Sequence, residues 1–542
     1  MDSGCAGRGI AGSVVSRNAS LTQFRKQPLD VLVIGGGING AGVLRDLALR
    51  SHTSGIPLRL GLVDRAHFSS GTSGRNSQLI HGGLRYLKNL EFHLVSEALS
   101  ERAILLRTAP HLVTPLPFLI PLRDWFSTVF YEAGLLLYDT LAGSNRMERF
   151  RHLSGKALNA VEPRMRAFRA GARFFDCHVQ SARLVLLNLR EAEAHGATAL
   201  NYCSVENLEK KAGLWHVDLL DRISGSPFSV QAKTVVDATG AWSREKNLRL
   251  VRGSHLIFPR LSTSENAIAY FTRDGRVVFF IPWGRGHELT LVGTTDVDHQ
   301  GDADSVHISD DEVRYLRGVV EEVFPDEGAV EPVSAYSALR PLVRDQSSSA
   351  TKTSREHRIW ADERGMVHIS GGKYTTYRAM SEEAVDLLCS AHFPGIAAKH
   401  VTADTAILGN TAAAVQALLA SSDIPEMIHD YGVETPALLD LIPDVEPVGI
   451  SKIEAAQIAF AVRNEWVEHL PDLLFVSTYW GYEKRWTAEL LWPYARALGA
   501  QLQWDEARVE QEIAICHAFL TLSCYAAAFC GSKLSSSSSK RP

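Results

Sequence analysis

Residues 30–40 read DVLVIGGGING, and no other stretch narrows the choice of fold as far. Its apolar half shows no polar alternation, which suits a strand buried on both faces of a parallel sheet. From Ile38 the period changes, and Ala41, Leu44, Leu47 and Ala48 recur at helical spacing. LRLGLVD, 58–64, is a second apolar strand closed by an acid. The unit is β–α–β. Between its first strand and its helix, Gly35, Gly37 and Gly40 form G-x-G-x-x-G. Gly35 permits the tight turn, the missing Cβ at Gly37 admits a pyrophosphate against the backbone, and Gly40 lets helix and strand approach closely. The helix N-terminus turns N–H groups and a partial positive charge toward the phosphates. Gly36 and Asn39 belong to the same turn. Asp64 follows Gly40 by 24 residues, close to the ~20 expected of the acid that hydrogen-bonds a ribose hydroxyl.

This motif does not choose between NAD and FAD. The following stretch, SSGTSGRNSQLIHGGLRYL (69–87), is a long run of small and hydroxyl residues. Such a loop wraps a large cofactor, and an NAD site has no need of one directly after its second strand. Thr72, Ser73, Ser77, Leu79, His81 and Gly82 are therefore read as cofactor contacts. VVDATG, 235–240, adds a strand whose small-residue exit at Gly240 passes close to the nucleotide. GGKYTTY, 371–377, sets Gly372 and Thr375 ahead of a helix running to about Leu388. The positive end of that helix and Lys373 suit the negative charge that gathers near N1 of a reduced flavin.

A chain of 542 residues holds two to four domains. Hairpin patterns at LWHVDLLD with SVQAKTVVDATG, at RVVFFIPW with ELTLVGTTD, and at RIW with GMVHIS interleave antiparallel pieces with the parallel ones. The resulting division is a flexible leader over 1–28, an FAD-binding domain in three parts (29–110, 171–250 and 336–395), and a substrate domain in two parts. The first of those two parts, 111–170, is also read as membrane-facing, and the second is 251–335. A helical C-terminal domain follows over 396–530, with a helix expected over 453–470, and then a flexible tail over 531–542. A net charge of −5 with no basic stripe excludes a nucleic-acid partner. Seven scattered cysteines offer neither a disulfide framework nor a metal site. Residues 125–141 (WFSTVFYEAGLLLYDTL) are interrupted by Glu132 and Asp139, so they are read as lying on the protein or at a membrane surface and not as a span.

The set GGGINGAG, SQLIHGGLRYL, FHLVSEALSERAILLRTAPHL, GSHLIFPR, FFIPW, GTTDV, YSALRPL and GGKYTTYRAM resembles the FAD-dependent (aerobic, respiratory) glycerol-3-phosphate dehydrogenase family. The likeness runs from about residue 29 to 395, and more weakly into VRNEWVEHLPDLL. It implies an α/β fold: a glutathione-reductase-like FAD-binding Rossmann domain interrupted by an antiparallel-sheet substrate domain, plus an all-helical C-terminal cap. Two departures stand out. Gln78 takes the place of a lysine common in the family, and FVSTYWGY (475–482) replaces a basic-rich stretch of its cap.

Oxidising a secondary alcohol with a flavin needs an acceptor for the hydroxyl proton and a clamp that holds the substrate's phosphate. Arginine's planar fork suits phosphate. Arg85, Arg340 and Arg355 are the candidates, and the resemblance puts all three at the substrate pocket with Tyr86 and Lys373. Arg85 and Arg340 sit in apolar runs where an unpaired charge is costly, whereas Arg355 has polar neighbours. His255 is the first choice for the proton, because an imidazole titrates near working pH. A core histidine bonded to a carbonyl is the plainer reading, and Lys373 or Arg340 could share the task. His81 is read as cofactor-side, with a covalent flavin link as the variant the resemblance opposes. Asp296 fixes a loop near the flavin or is simply structural. The resemblance further implies glycerol 3-phosphate as substrate, a membrane quinone as electron acceptor and an anionic membrane surface met through 125–141, 486–504, Arg123, Lys484 and Arg485. It also implies peripheral attachment to the cytoplasmic membrane, or to the mitochondrial inner membrane in a eukaryote. A homodimer is left open. The rival activities are an oxidase using oxygen and an amine or amino-acid oxidase.

Overall fold

The computed structural model describes residues 17–84, 91–245, 247–344, 356–396 and 400–523. Arg85, Tyr86 and Arg355 lie outside the described residues. The apolar run after Pro28 forms the strand Leu29–Ile34, and the glycine turn leads into the helix Ile38–Ser54. The strand Leu60–Val63 then returns parallel to the first, in register Val31↔Leu60 to Ile34↔Val63. Across this sheet the order is His357–Ala361, Val367–Gly371, Ser226–Asp237, Leu29–Ile34, Leu60–Val63, Thr198–Leu200. The strands around Leu29–Ile34 run parallel and are buried on both faces, as their unbroken apolar character requires. The expected hairpins 214–221/226–237 and 357–361/367–371 are present as antiparallel pairs on the same sheet.

The second sheet is mainly antiparallel. Its order is Val297–Asp298, Leu248–Pro259, Leu289–Gly293, Val277–Trp283, Ala267–Phe271, Val113–Leu122, Ala170–Val179, Leu79–Ile80. Ser334–Val343 joins Leu248–Pro259 from the side, in register from Leu248↔Val343 to Ile257↔Ser334. The chain therefore enters this sheet at Leu79, leaves it, and returns twice.

Helix Ile38–Ser54 packs between Ser181–Ala194 and Tyr377–His392. It is buried nearly throughout, charged residues included. Those charges are paired: Arg45 with Glu191, and Arg50 with Asp46 at 2.9 Å. Taking an ion out of water costs several kcal/mol, so burial requires a partner.

No strand occurs among the described residues beyond Gly371. Helices follow, among them Ala412–Ser421, Lys452–Asn464, Ala488–Leu502 and Glu506–Ser523. The helix expected over 453–470 stops at Asn464, and Trp466 takes a left-handed φ of 55°. A long-range pair overrides the local period here. Glu465 turns inward to Arg183 at 2.9 Å with both side chains buried, while the Trp466 indole meets Phe68 edge-on at 5.1 Å. Arg183 also donates to the Ser477 carbonyl and lies 4.0 Å over the Tyr431 ring.

Arg183→Met would leave a buried carboxylate without its cation, a change that typically costs about 3–5 kcal/mol. We expect the thermal midpoint to fall by several degrees and the C-terminal helices to become the first site of proteolysis. Limited proteolysis with a melting curve checks both.

Candidate active site

The glycine turn and the other small-residue exits lie together at the carboxyl ends of four parallel strands. Leu29–Ile34 ends at Gly35, Leu60–Val63 at Asp64, Ser226–Asp237 just before Gly240, and Val367–Gly371 at Gly372. Ligands of open α/β sheets bind at this edge. Gly35 has φ 108°, and a Cβ there would stand 2.6 Å from the Ala238 carbonyl oxygen. A Cβ on Gly40 would stand 1.9 Å from the Gly35 oxygen, so helix and strand reach their spacing only without one. At Gly37 the nearest atom to a Cβ would be Ser73 Oγ at 3.0 Å, so the glycine keeps a gap open between the helix start and the 69–78 loop. Asn39 lies on the first turn of that helix.

Asp64 accepts from Gly36 N at 2.6 Å through one oxygen and from Ala66 N at 2.9 Å through the other. Burial pushes its carboxyl above the ordinary value, and the two N–H donors pull it back. Each oxygen keeps a lone pair for a ribose hydroxyl. Ser73 Oγ accepts from Ile38 N at 2.9 Å, which leaves its own proton for an anion at the helix N-terminus.

The 69–84 loop is laid against the second sheet. Thr72 Oγ1 donates to the Leu339 carbonyl, Tyr336 donates to the Asn76 carbonyl at 2.6 Å, and Ser77 Oγ lies 2.9 Å from His255 Nε2. Ser77 thus faces the second sheet. Leu79 is a buried strand residue opposite His178, so its side chain belongs to the core. Gln78, at φ 54°, accepts from the Ser181 N–H and hydroxyl at 2.8 Å each and donates to the Gly74 carbonyl at 3.1 Å. Tyr479, in the stretch where the family's basic residues are missing, accepts from Ala182 N at 2.9 Å and reaches Gln78 Oε1 at 3.4 Å. Its ring and that of Tyr482 close an aromatic wall with Trp283 and Tyr336, at 5.7 and 5.1 Å. Both departures from the family pattern therefore meet in one contact. His81 N donates to Thr375 Oγ1 at 3.2 Å, and Gly82 N donates to the Tyr138 hydroxyl at 2.9 Å.

His255 and Arg340 stand on neighbouring strands, where Val251 pairs with Arg340 and His255 with Tyr336. Two glycines make room for them. A Cβ on Gly253 would lie 2.3 Å from the guanidinium of Arg340, and one on Gly293 would lie 2.2 Å from the ring of His255. Arg340 donates to the Thr295 carbonyl at 3.0 Å, to Asp296 Oδ1 at 2.9 Å and to Thr294 Oγ1 at 2.7 Å. The strand predicted to run to Asp296 ends at Gly293 because Thr294–Asp296 turn to meet this side chain. Behind them, buried Glu312 accepts from Thr295 Oγ1 and Ser254 Oγ and pairs with Arg252 at 2.7 Å. It is also the third residue of the helix Asp310–Val323, capped by Ser309. Sequence reasoning did not single out Glu312 as a support for Arg340, although the S-x-x-E cap was legible. Lys373 Nζ donates to the Leu94 carbonyl at 3.2 Å.

The sequence of residues 30–387 matches the family described as FAD dependent oxidoreductase. The chain belongs to that family. This oxidoreductase is 33% identical over 83% of its length to the "Aerobic glycerol-3-phosphate dehydrogenase" of Escherichia coli (strain K12), covering 94% of that protein. It is 31% identical, with the same two shares covered, to the "D-erythritol 1-phosphate dehydrogenase" of Brucella abortus (strain 2308). Its structure superposes on the glycerol-3-phosphate dehydrogenase from Bacillus halodurans complexed with FAD, with a TM-score of 0.75 and 25% identity over 94% of this chain and 98% of that one. FAD is the oxidoreductase's cofactor. The gap kept by Gly37, the Ser73 hydroxyl, the spare lone pairs of Asp64 and the strand exits at Gly240 and Gly372 fit its parts.

His255 is 1% exposed and its Nδ1 has no hydrogen-bond partner among the described residues. Burial, and then the Arg340 charge, push its pKa down to about 3. The ring is thus neutral in the folded oxidoreductase wherever the fold survives, and the ordinary value near 6.5 belongs to the unfolded chain. Between these two pH values the unfolded chain binds a proton that the folded ring refuses. Acidification from pH 6.5 therefore costs stability, and raising the pH restores it. We expect a steep fall in thermal midpoint from pH 6.5 to 4.5, shallower in His255→Gln. Equal slopes for the two proteins would remove His255 as the cause.

Proposed function

We propose that this protein oxidises sn-glycerol 3-phosphate to dihydroxyacetone phosphate and passes the electrons to a membrane quinone. The observation that carries the reading is the pair His255 and Arg340: a neutral imidazole beside a fixed guanidinium, each seated over a glycine, on the sheet that the cofactor loop contacts through Ser77. The names of the relatives support the substrate. FAD, when bound, accepts the hydride that leaves carbon 2. Arg340 holds the phosphate or the developing charge on the carbon 2 oxygen, with Lys373 at the mouth of the cofactor helix. Arg85, Tyr86 and Arg355 complete the phosphate clamp on the strength of the family resemblance. His255 takes the hydroxyl proton, and Ser77 fixes the orientation of its ring. A bound phosphate dianion offsets the Arg340 charge that depresses the ring, so substrate binding raises its basicity when it is needed.

A second reading, oxidation of a longer polyol phosphate, is favoured by the likeness to the D-erythritol 1-phosphate enzyme. The test is anaerobic. The purified protein is expected to be yellow, and glycerol 3-phosphate to bleach it. Faster bleaching by erythritol phosphate would select the second reading, bleaching by glycine an amino-acid oxidase, and a stoichiometric peroxide yield in air an oxidase. His255→Ala should lower the stopped-flow rate of flavin reduction by 10²-fold or more, the range of general base catalysis, with a smaller change in substrate affinity. Unchanged reduction would take His255 out of the mechanism.

No helix among the described residues is long and apolar enough to cross a membrane. Helix Trp125–Ala142 nevertheless exposes Trp125, Phe126, Val129, Phe130 and Leu136, with Phe126 at 78% and Trp125 at 70%. Large exposed apolar faces mark interaction sites, and aromatic side chains suit the lipid interface. We read this helix as lying in the membrane surface. Of the cations expected at the membrane surface, Arg123 bonds the Tyr270 hydroxyl and Arg485 the Pro332 carbonyl, and both stay exposed. Exposed Arg146, Arg149 and Arg151, just beyond the helix, add to the cationic flank in this reading. The other candidate stretch buries Trp486, Leu491 and Tyr494 against its own protein. Phe126→Ser with Leu136→Ser is expected to abolish sedimentation with anionic liposomes without unfolding the protein. Full retention on liposomes would overturn the assignment.

A further inference from the structure

We propose that Tyr138, backed by Asp176 and Arg102, is a positioning residue for the cofactor-facing backbone of His81–Gly83. The inference rests on FAD lying against this loop. Three elements converge on one peptide N–H. Tyr138 comes from the inner face of helix Trp125–Ala142, Asp176 from strand Ala170–Val179 and Arg102 from helix Phe92–Thr108. Gly82 N donates to the Tyr138 hydroxyl at 2.9 Å, with Asp176 Oδ1 behind it at 3.3 Å. The same hydroxyl donates to the Asp176 carboxylate at 2.8 Å, and Arg102 Nη1 donates to Asp176 Oδ1 at 2.5 Å. All three residues are at most 3% exposed.

Glycine at 82 follows from this arrangement, since a Cβ there would stand 2.4 Å from the Tyr138 oxygen. The neighbouring residue is held from the other side, where His81 N donates to Thr375 Oγ1 at the start of the cofactor helix. The two peptides are thus gripped between separate parts of the molecule. A buried ion pair is a poor device for stability alone, because its desolvation offsets its attraction. Here the pair aims a hydroxyl. Arginine fixes the carboxylate, the carboxylate orients the O–H, and the oxygen lone pair is left facing Gly82. Hydrogen bonds in such a series polarise one another. Peptide groups beside a cofactor tune its electronics and its distance from the substrate, and a misplacement of about 1 Å can cost roughly 10²-fold in rate.

The experiment uses the full-length FAD-loaded protein and its Tyr138→Phe variant, which loses one oxygen and keeps the ring. We expect Tyr138→Phe to retain FAD and to hold KM for glycerol 3-phosphate within about twofold. Its flavin reduction should slow by about tenfold, the effect of one lost buried hydrogen bond to a charged network, with a shifted flavin absorption spectrum and midpoint potential. Sedimentation with liposomes should be unchanged, which separates this role from the outer face of the same helix. Wild-type reduction rate, spectrum and potential in Tyr138→Phe would overturn the proposal. If Tyr138→Phe does not fold, Asp176→Asn, which keeps the side chain's shape and removes its charge, is read by the same criteria. A colourless wild-type protein would instead overturn the FAD assignment on which the proposal rests.

Discussion

Between Asp64 and Leu79 the chain leaves a parallel sheet and enters an antiparallel one, and hydrogen bonds to both fix its path. Ser73 meets the helix Ile38–Ser54 at Ile38, Thr72 and Ser77 meet the strands of the second sheet, Gln78 meets the helix Ser181–Ala194 at Ser181, and Gly74 meets the C-terminal region at Tyr479. The glycine turn and the His255–Arg340 pair come from sheets with different strand directions, and one hydrophobic core spans both. Nothing in either sheet alone would set their separation. The shared core and the shared loop do, and the loop's small and hydroxyl residues serve that end: they let the backbone lie close and supply donors at short range.

The electrostatics of the site follow from burial. His255, Asp64 and Asp176 are each pushed toward the neutral form by loss of water, and particular neighbours then oppose or reinforce that push. For the carboxylates the neighbours are N–H groups and Arg102, which oppose that push without cancelling it. For the imidazole the neighbour is Arg340, which drives it further from the charged form. Arg340 thus stands as a cation beside an imidazole that is empty of a proton.

Much of this was legible in the sequence, because the responsible contacts are local or periodic. The G-x-G-x-x-G turn, the Asp64 spacing and the hairpins rest on neighbours a few residues apart or on a regular repeat, and the strands and turns stand where the pattern implies. The remainder depends on contacts that no local pattern encodes. Tyr138 and Asp176 reach Gly82 across 56 and 94 residues of chain, and Glu465 leaves its helix for Arg183 across 282. Period alone extended that helix to residue 470. Arg123 and Arg485 stand exposed as the sequence implies, and only the hydrogen bond that each makes within its own fold was not legible there. The pKa expected of His255 failed for a related reason: the reference value describes water, and the ring has almost none around it.

Gly253 and Gly293 were described as the spaces into which Arg340 and His255 fit. Each glycine lies on a strand next to the one that bears its partner, so either space is bounded by main chain that cannot retreat without breaking the ladder. A methyl group gained at 293 is tolerable only once the ring opposite has given way, and one at 253 only once the end of Arg340 has left its three hydrogen bonds; either large side chain, regained later, finds its berth filled. Among descendants of such a chain, these positions should vary as couples, 253 with 340 and 293 with 255. A lineage that abandoned the chemistry would show it first as a side chain appearing at one of the two glycines.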